Sequence, residues 1–268
     1  MMKQIFIIAA VIALALAGPL ALGDEQRDAA WLGGLKQHFF GDREIAPAAD
    51  AISLELPDRA EDGAAVPVRI RAAFPQTPER YIQTLTVLID RNPTPLGGIF
   101  RFTPNSGQVD LSFRIRVNEY SQVRAIAETN DGKLLMASHY VKASGGCSAP
   151  VGTDLEAAAK RLGKIRFKTT DASPDGPVQM QLAVSHPNLT GLQKDQLSLL
   201  FIPAHFVQKV EVKFEGEPVF SAETDISISE NPNFRFYFVP RKPGKLTAEI
   251  SDSKGMKFTE TYTYPAGG

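Results

Sequence analysis

The chain carries one cysteine and four histidines, so its stock of nucleophilic and metal-ligating groups is small. One Cys excludes an intrachain disulfide framework and a multi-Cys zinc site. There is no G-x-S-x-G elbow, no Walker loop and no H-E-x-x-H. His186 precedes Pro187 and reads as a structural residue at a turn. His139 falls in a strand pattern, and His205 sits at a strand edge with no partner visible. Asn188-Leu189-Thr190 matches a glycosylation sequon, a triplet that often arises by chance. Acidic residues are spread over solvated strand faces, and no pair stands out for acid–base work. No catalytic residue, metal site or cofactor is expected.

Cys147 stands out by its setting, Ser144-Gly145-Gly146-Cys147-Ser148-Ala149-Pro150. Nothing on either side forms an apolar stripe for it to pack with. Two preceding glycines remove side-chain bulk and loosen the backbone. The expectation is an exposed, mobile thiol, with Gly145, Gly146 and Ser148 as its flexible arm. No Lys or Arg lies between Lys142 and Lys160 to lower its pKa locally. An ordinary thiol, with a pKa of about 8.5, is only slightly ionised at neutral pH. That is the character of a thiol displayed for other proteins to modify. Displayed in this way, it would also permit a disulfide-linked dimer through Cys147.

The flanking elements read as strands. Val66, Val68 and Ile70 alternate with Pro67, Arg69 and Arg71. Leu111, Phe113, Ile115 and Val117 alternate with Ser112, Arg114, Arg116 and Asn118, and Phe234, Phe236 and Phe238 repeat the pattern. One face of each is apolar and the other wet. Asn130-Asp131-Gly132 predicts a hairpin between Val123–Thr129 and Lys133–Lys142. Asp28 to Phe40 has roughly helical spacing, and Asp154 to Gly163 reads as a helical turn or two capped by Asp154. Each half offers about seven short strands in about 100 residues, the pattern of a small sandwich. The expected fold is all-β: two immunoglobulin-like β-sandwich domains, a short N-terminal helix and a short linker helix. One continuous barrel is the alternative.

Lys+Arg number 29 against 30 Asp+Glu, which lacks the basic excess of a nucleic-acid binder. Met1-Met2-Lys3 followed by an uncharged apolar run from Ile5 to Gly18 reads as a secretory signal, too short for the roughly 20 residues of a membrane span. Ala21-x-Gly23 would give a mature start at Asp24, preferred because soluble composition begins there; Ala15-x-Ala17 would give one at Gly18, and an uncleaved anchor is the further alternative. The organisation is then a signal peptide over 1–23, a first sandwich over 24–147, a linker over 148–163 and a second sandwich over 164–268. The mature chain is expected to be exported to an oxidising compartment, with no membrane or nucleic-acid contact.

The chain resembles the SoxY and SoxZ proteins of bacterial thiosulfate oxidation, fused in that order. The first half carries Ala60-Glu61-Asp62-Gly63, Asp90-Arg91-Asn92-Pro93, Arg114-Ile115-Arg116-Val117 and Gly145-Gly146-Cys147. The second half carries Ser185-His186-Pro187, Thr190-Gly191-Leu192, Ile202-Pro203-Ala204-His205 and Glu230-Asn231-Pro232. Fused chains of this kind look like the SoxYZ-like carriers associated with quinoprotein dehydrogenases. The resemblance implies a periplasmic carrier, itself not an enzyme, whose Cys bears a sulfur intermediate on a Gly-Gly-Cys-Gly-Gly tail. Partners would be periplasmic oxidoreductases: Sox-type enzymes, or a quinoprotein dehydrogenase and c-type cytochrome.

Two departures stand out. Ser148-Ala149 replaces the second Gly-Gly and the chain continues, so Cys147 is tethered on both sides. At roughly 3.3–3.6 Å per residue, Ala143–Cys147 still spans about 17 Å and Ser148–Thr153 about 20 Å. Asn188-Leu189 stands where the family commonly has Met-Glu. Besides the covalent carrier, a non-covalent binding or assembly module and an enzyme are the other function classes considered.

Overall fold

The computed structural model describes residues 27–151, 155–171 and 176–264. The expected signal segment, its expected cleavage region and the expected cap Asp154 lie outside the described residues. Among the described residues no helix is long and apolar enough to cross a membrane.

The N-terminal unit, which ends at Gly41, is short. A π-helical turn over Trp31–Leu35 runs into an α-helix, α1, over Lys36–Phe40. Gly34, at φ 148°, interrupts the regular helix that the spacing predicts. The Trp31 and Phe40 rings lie 6.1 Å apart.

Among the described residues, the second unit, Asp42–Gly268, is all-β apart from α2 over Leu155–Arg161 and a 3-10 turn over Pro104–Ser106. Its first half holds β1 (Ile45–Pro47), β2 (Ile52–Glu55), β3 (Val66–Ala72), β4 (Ile82–Ile89), β5 (Leu96–Phe102), β6 (Asp110–Ile115), β7 (Ser121–Thr129) and β8 (Leu134–Val141). Its second half holds β9 (Ile165–Asp171), β10 (Val178–Val184), β11 (Val207–Phe214), β12 (Glu217–Thr224), β13 (Asn233–Phe238), β14 (Gly244–Asp252) and β15 (Lys257–Tyr264). The predicted period-two patterns are met: Val66, Val68 and Ile70 are buried while Pro67, Arg69 and Arg71 face water. The Asn130-Asp131-Gly132 turn joins β7 to β8 as an antiparallel hairpin, with Gly132 at φ 80°.

Each half is a two-layer sandwich, and the halves are not separate beads. The sheets pair edge to edge across the middle of the chain. The nine-stranded sheet runs β1-β8-β7-β4-β5-β12-β11-β14-β15 and the six-stranded sheet β2-β3-β6-β13-β10-β9. The seam pairs β5 with β12, from Phe102↔Phe220 to Gly98↔Thr224, and β6 with β13 at Ser112↔Arg235. This closure removes the edge strands that separate sandwiches would expose at that junction. The seam is filled by aromatic rings from both halves. Phe100 and Phe113 lie 4.8 Å apart, and Phe220 stacks on Phe236 at 4.8 Å. Phe100 and Phe220 meet across the junction at 6.2 Å. Such rings bury roughly 150–250 Å² each, so the seam is part of one apolar core.

Candidate functional site

Cys147 lies beside the seam, and the structure corrects the expectation of an exposed thiol. The residue is wholly buried, at 0% exposure. Its segment is held by backbone hydrogen bonds to the loop that follows β6: Gly145 N–H donates to the Asn118 carbonyl (2.8 Å) and Gly146 N–H to that of Val117 (3.0 Å). Ser148 N–H closes a turn onto the Gly145 carbonyl at 3.2 Å. Gly145 and Ser148 remain exposed, and the turn carries Cys147 inward.

The glycines therefore do something other than loosen the chain. Gly145 sits at φ 72°, which favours Gly. Gly146 allows close backbone approach. A Cβ there would fall 2.0 Å from the Gly63 carbonyl oxygen and 2.7 Å from that of Val117. Gly63 is the reciprocal half of the slot, since a Cβ on it would meet the Ser144 oxygen at 2.4 Å.

The second half completes the enclosure. Thr190 Oγ1 donates to the Cys147 carbonyl at 2.6 Å, and Gln193 Nε2 to the Ala149 carbonyl at 3.0 Å. Arg116 bridges the halves, donating from Nη1 to the Gly146 carbonyl and from Nη2 to the Asn188 carbonyl, both at 3.2 Å. The sequence pattern placed Arg116 on a wet strand face, but it is 3% exposed. The reason is that β6 ends at Ile115, so the alternation stops one residue earlier. Its Nε is buried without a hydrogen-bond partner. Burial pushes the Cys147 thiol up to about 11, with the Arg116 charge pulling the other way. At pH 7 about one molecule in ten thousand would be ionised in this docked state.

The Asp90-Arg91-Asn92 motif supports this loop. Asn92 Nδ2 donates to the Arg116 carbonyl and to Ser227 Oγ, both at 2.8 Å, and Asn92 Oδ1 accepts from Asn118 N–H at 2.9 Å. Asp90 forms a fully buried ion pair with Arg124 at 2.8 Å.

The histidines that look unrelated in sequence meet in space. His186 and His205 have ring centroids 4.6 Å apart and both face Asp252. His205 Nε2 lies 2.8 Å and His186 Nε2 3.5 Å from Asp252 Oδ2. Among the described residues this is the one group of His, Cys, Asp or Glu close enough to hold a metal ion. Asn188 N–H donates to His186 Nδ1 at 3.1 Å, which puts the ring proton on Nε2, facing Asp252. His205 Nε2 donates to the carboxylate at 2.8 Å, while His186 Nε2–H faces it without a hydrogen-bond partner, so the two rings offer Asp252 protons rather than lone pairs. The trio is a clamp joining the ends of β10 and β14 to the start of β11.

Asn188 is the link from that clamp to the thiol. Besides His186 and Arg116, it accepts from Val207 N–H through Oδ1 and donates through Nδ2 to the Ile228 carbonyl. It is 0% exposed, so the sequon is closed to glycosylation in the folded chain. Asn188 is thus a hub of the Cys147 enclosure.

The clamp makes stability fall in acid. Burial, then the neighbouring His205, depresses the His186 pKa to about 4, against about 6.5 for a free imidazole. The unfolded chain therefore binds a proton first. The contribution of neutral His186 is full above about pH 6.5 and is lost as pH falls toward 4. For Asp252, burial pushes the carboxyl up, but hydrogen bonds from His205 and from the Met256 and Lys254 N–H groups hold it below its usual value. Its own loss comes at lower pH, below the ordinary carboxylate range. The guanidinium midpoint is expected to drop steadily from pH 6.5 to 4, and His186→Gln should flatten that slope. A midpoint independent of pH across this window in the wild type would contradict the assignment.

The surface groove lined by Glu55, Arg69, Arg114 and Arg235 lies on the six-stranded sheet and does not include Cys147. Arg69 there pairs with Asp110 at 2.6 Å.

A family model described as sulfur oxidation protein SoxY matches residues 36–147, ending on Cys147 itself, and one described as sulphur oxidation protein SoxZ matches residues 165–263. No curated protein matches. Among solved structures, the chain is similar to the sulfur carrier protein SoxY from Chlorobium limicola f thiosulfatophilum, at 24% identity and a TM-score of 0.37, covering 46% of this chain and 99% of that one. It is also similar to a superoxide reductase (neelaredoxin) from Ignicoccus hospitalis, at 18% identity and a TM-score of 0.33, covering 38% and 97%. With the two family models matching its halves in order, the chain belongs to the SoxY and SoxZ sulfur-oxidation families as a single fused protein.

Proposed function

We propose that this chain is a periplasmic carrier that holds a sulfur-containing intermediate covalently on Cys147 and presents it to partner enzymes. Those partners are Sox-type oxidoreductases or a quinoprotein dehydrogenase with its c-type cytochrome. The carrying observation is the position of the one thiol, at the end of the SoxY-matched region, on a segment fixed by hydrogen bonds that can break without unfolding a strand. Membership of two sulfur-oxidation families supports the cargo class.

Loading is thiol exchange. The thiolate attacks a sulfur of the donor's S–S bond, the new Cys147 Sγ–S bond forms, and the released sulfur leaves as an anion with the bonding pair. The thiol proton goes to solvent. With tetrathionate as donor, the central S–S bond breaks, thiosulfate leaves, and an S–SO3 group stays on Cys147 Sγ as a sulfenyl thiosulfate. A wholly buried thiol with a pKa of about 11 cannot do this where it sits. The docked state is therefore the resting form, and exchange proceeds from a released one. The arm is a latch before it is a swinging tether.

That burial also favours a second reading, a non-covalent assembly module in which Cys147 is only a small core residue. Cys147→Ser separates the two. In a host that depends on the protein for sulfur oxidation, the carrier reading expects sulfur-compound consumption to be abolished while the variant folds normally. Wild-type consumption with the same partners retained would establish the module instead.

A further inference from the structure

Next to the latch, the segment between Leu192 and Phe201 holds apolar side chains out in water. Leu197 is 96% exposed, Leu200 70%, Leu199 69% and Phe201 62%. A monomeric protein rarely leaves so many large apolar groups together on one loop unless something covers them. The loop is built to present them. Asp195 Oδ1 accepts from Leu197 N–H, Ser198 N–H and Ser198 Oγ at 3.1, 2.7 and 2.8 Å. Asp195 N–H donates to the Leu200 carbonyl and Leu199 N–H to that of Asp195, both at 2.9 Å. Leu199 is held at φ 59°. The polar groups point inward to shape the turn and the apolar ones point out.

The loop is rooted on the Cys147 segment. Gln193, 1% exposed, accepts from Thr190 N–H at 3.1 Å and donates to the Ala149 carbonyl, while Thr190 holds the Cys147 carbonyl. Any enzyme that reacts with Cys147 must cover the surface around it. A specific interface takes about 800 Å² from each partner, a patch about 30 Å across. Leu197 lies four residues beyond Gln193, hence at most about 14 Å from the root. The apolar tip falls within such a footprint.

We propose that the 192–201 loop is the docking hook for the enzyme that loads Cys147, seated in an apolar recess of that enzyme beside the place where the thiol reacts. The loading enzyme is the occupant because it must recognise the unladen chain, and the unladen chain is the docked state in which the loop and segment are tied together. Pulling on the loop strains the Gln193–Ala149 and Thr190–Cys147 bonds, which couples docking to release of the latch. The inference rests on the carrier reading.

The test compares the wild type with the combined variant Leu197→Ser, Leu200→Ser, Phe201→Ser, each isolated from the host without reductant and weighed intact. The expected result is at least a fivefold fall in the fraction of Cys147 carrying a reductant-labile adduct, while loading of the purified variant by tetrathionate keeps its wild-type rate. The single variant Leu197→Ser, which alters a side chain almost wholly in water, should shift occupancy the same way if the combined variant folds poorly. Equal occupancy in wild type and variants would overturn the hook. A wild-type dimer dissolved by the variant, with occupancy unchanged, would overturn it in favour of a second copy of this chain. A wild type with no adduct at all would overturn the carrier reading first, and the hook with it.

Discussion

Replacing Gly146 by Ala raises the rate of Cys147 alkylation at pH 7 by more than ~100-fold. The added Cβ has nowhere to go, because the Gly63 and Val117 carbonyl oxygens occupy the space at 2.0 and 2.7 Å, and both belong to backbone. The segment must lift out of its slot, and Arg116 loses its seat on the Gly146 carbonyl. The thiol then returns from about 11 to the range of a free thiol, which alone multiplies the thiolate at pH 7 by roughly 100. Access to reagent adds to that. Gly132→Ala is the control, at a hairpin turn with φ 80° and open space for a Cβ, where backbone strain arises far from the thiol. Alkylation of the Gly146 variant within twofold of wild type would mean that docking does not govern the thiol.

Replacing Asp90 by Ala destabilises the fold by about 3–5 kcal/mol, because the guanidinium of Arg124 stays buried without its carboxylate. Arg124 is 2% and Asp90 5% exposed, and Asp90 receives Arg124 Nε at 3.0 Å and Nη2 at 2.8 Å. Guanidinium unfolding measures the loss. Asp90→Leu combined with Arg124→Met, which removes both charges, should recover most of it. A single variant within 1 kcal/mol of wild type would contradict the pair's structural weight. Asp90 also begins the turn from which Asn92 holds the Arg116–Asn118 loop, so the loss should raise thiol reactivity as well.

Local pattern made the strands legible. Alternation marked β3 and β13, and Asn130-Asp131-Gly132 marked the β7–β8 hairpin, because both depend on near neighbours in sequence. The joining of the two sandwiches into shared sheets was not legible, since the pairing of Phe102 with Phe220 leaves no local mark. The site divides in the same way. Gly145-Gly146-Cys147 announced itself by composition, but composition describes the segment and not its surroundings. Its burial depends on Gly63, Arg116, Asn188, Thr190 and Gln193, which are remote in sequence. Arg116 carried one signal that could have been used: the strand pattern runs on toward Asn118-Glu119, a turn-like pair, so the alternation near its end was weak. Likewise nothing adjacent to His186 or His205 foretold Asp252.

The most direct test of the central claim is the intact mass of the chain isolated from its native host without reductant, beside the same sample after reduction. The account predicts an addition on Cys147, in sulfur-atom or sulfur-oxyanion increments, that reductant removes. An unmodified thiol in cells actively oxidising sulfur compounds would contradict it.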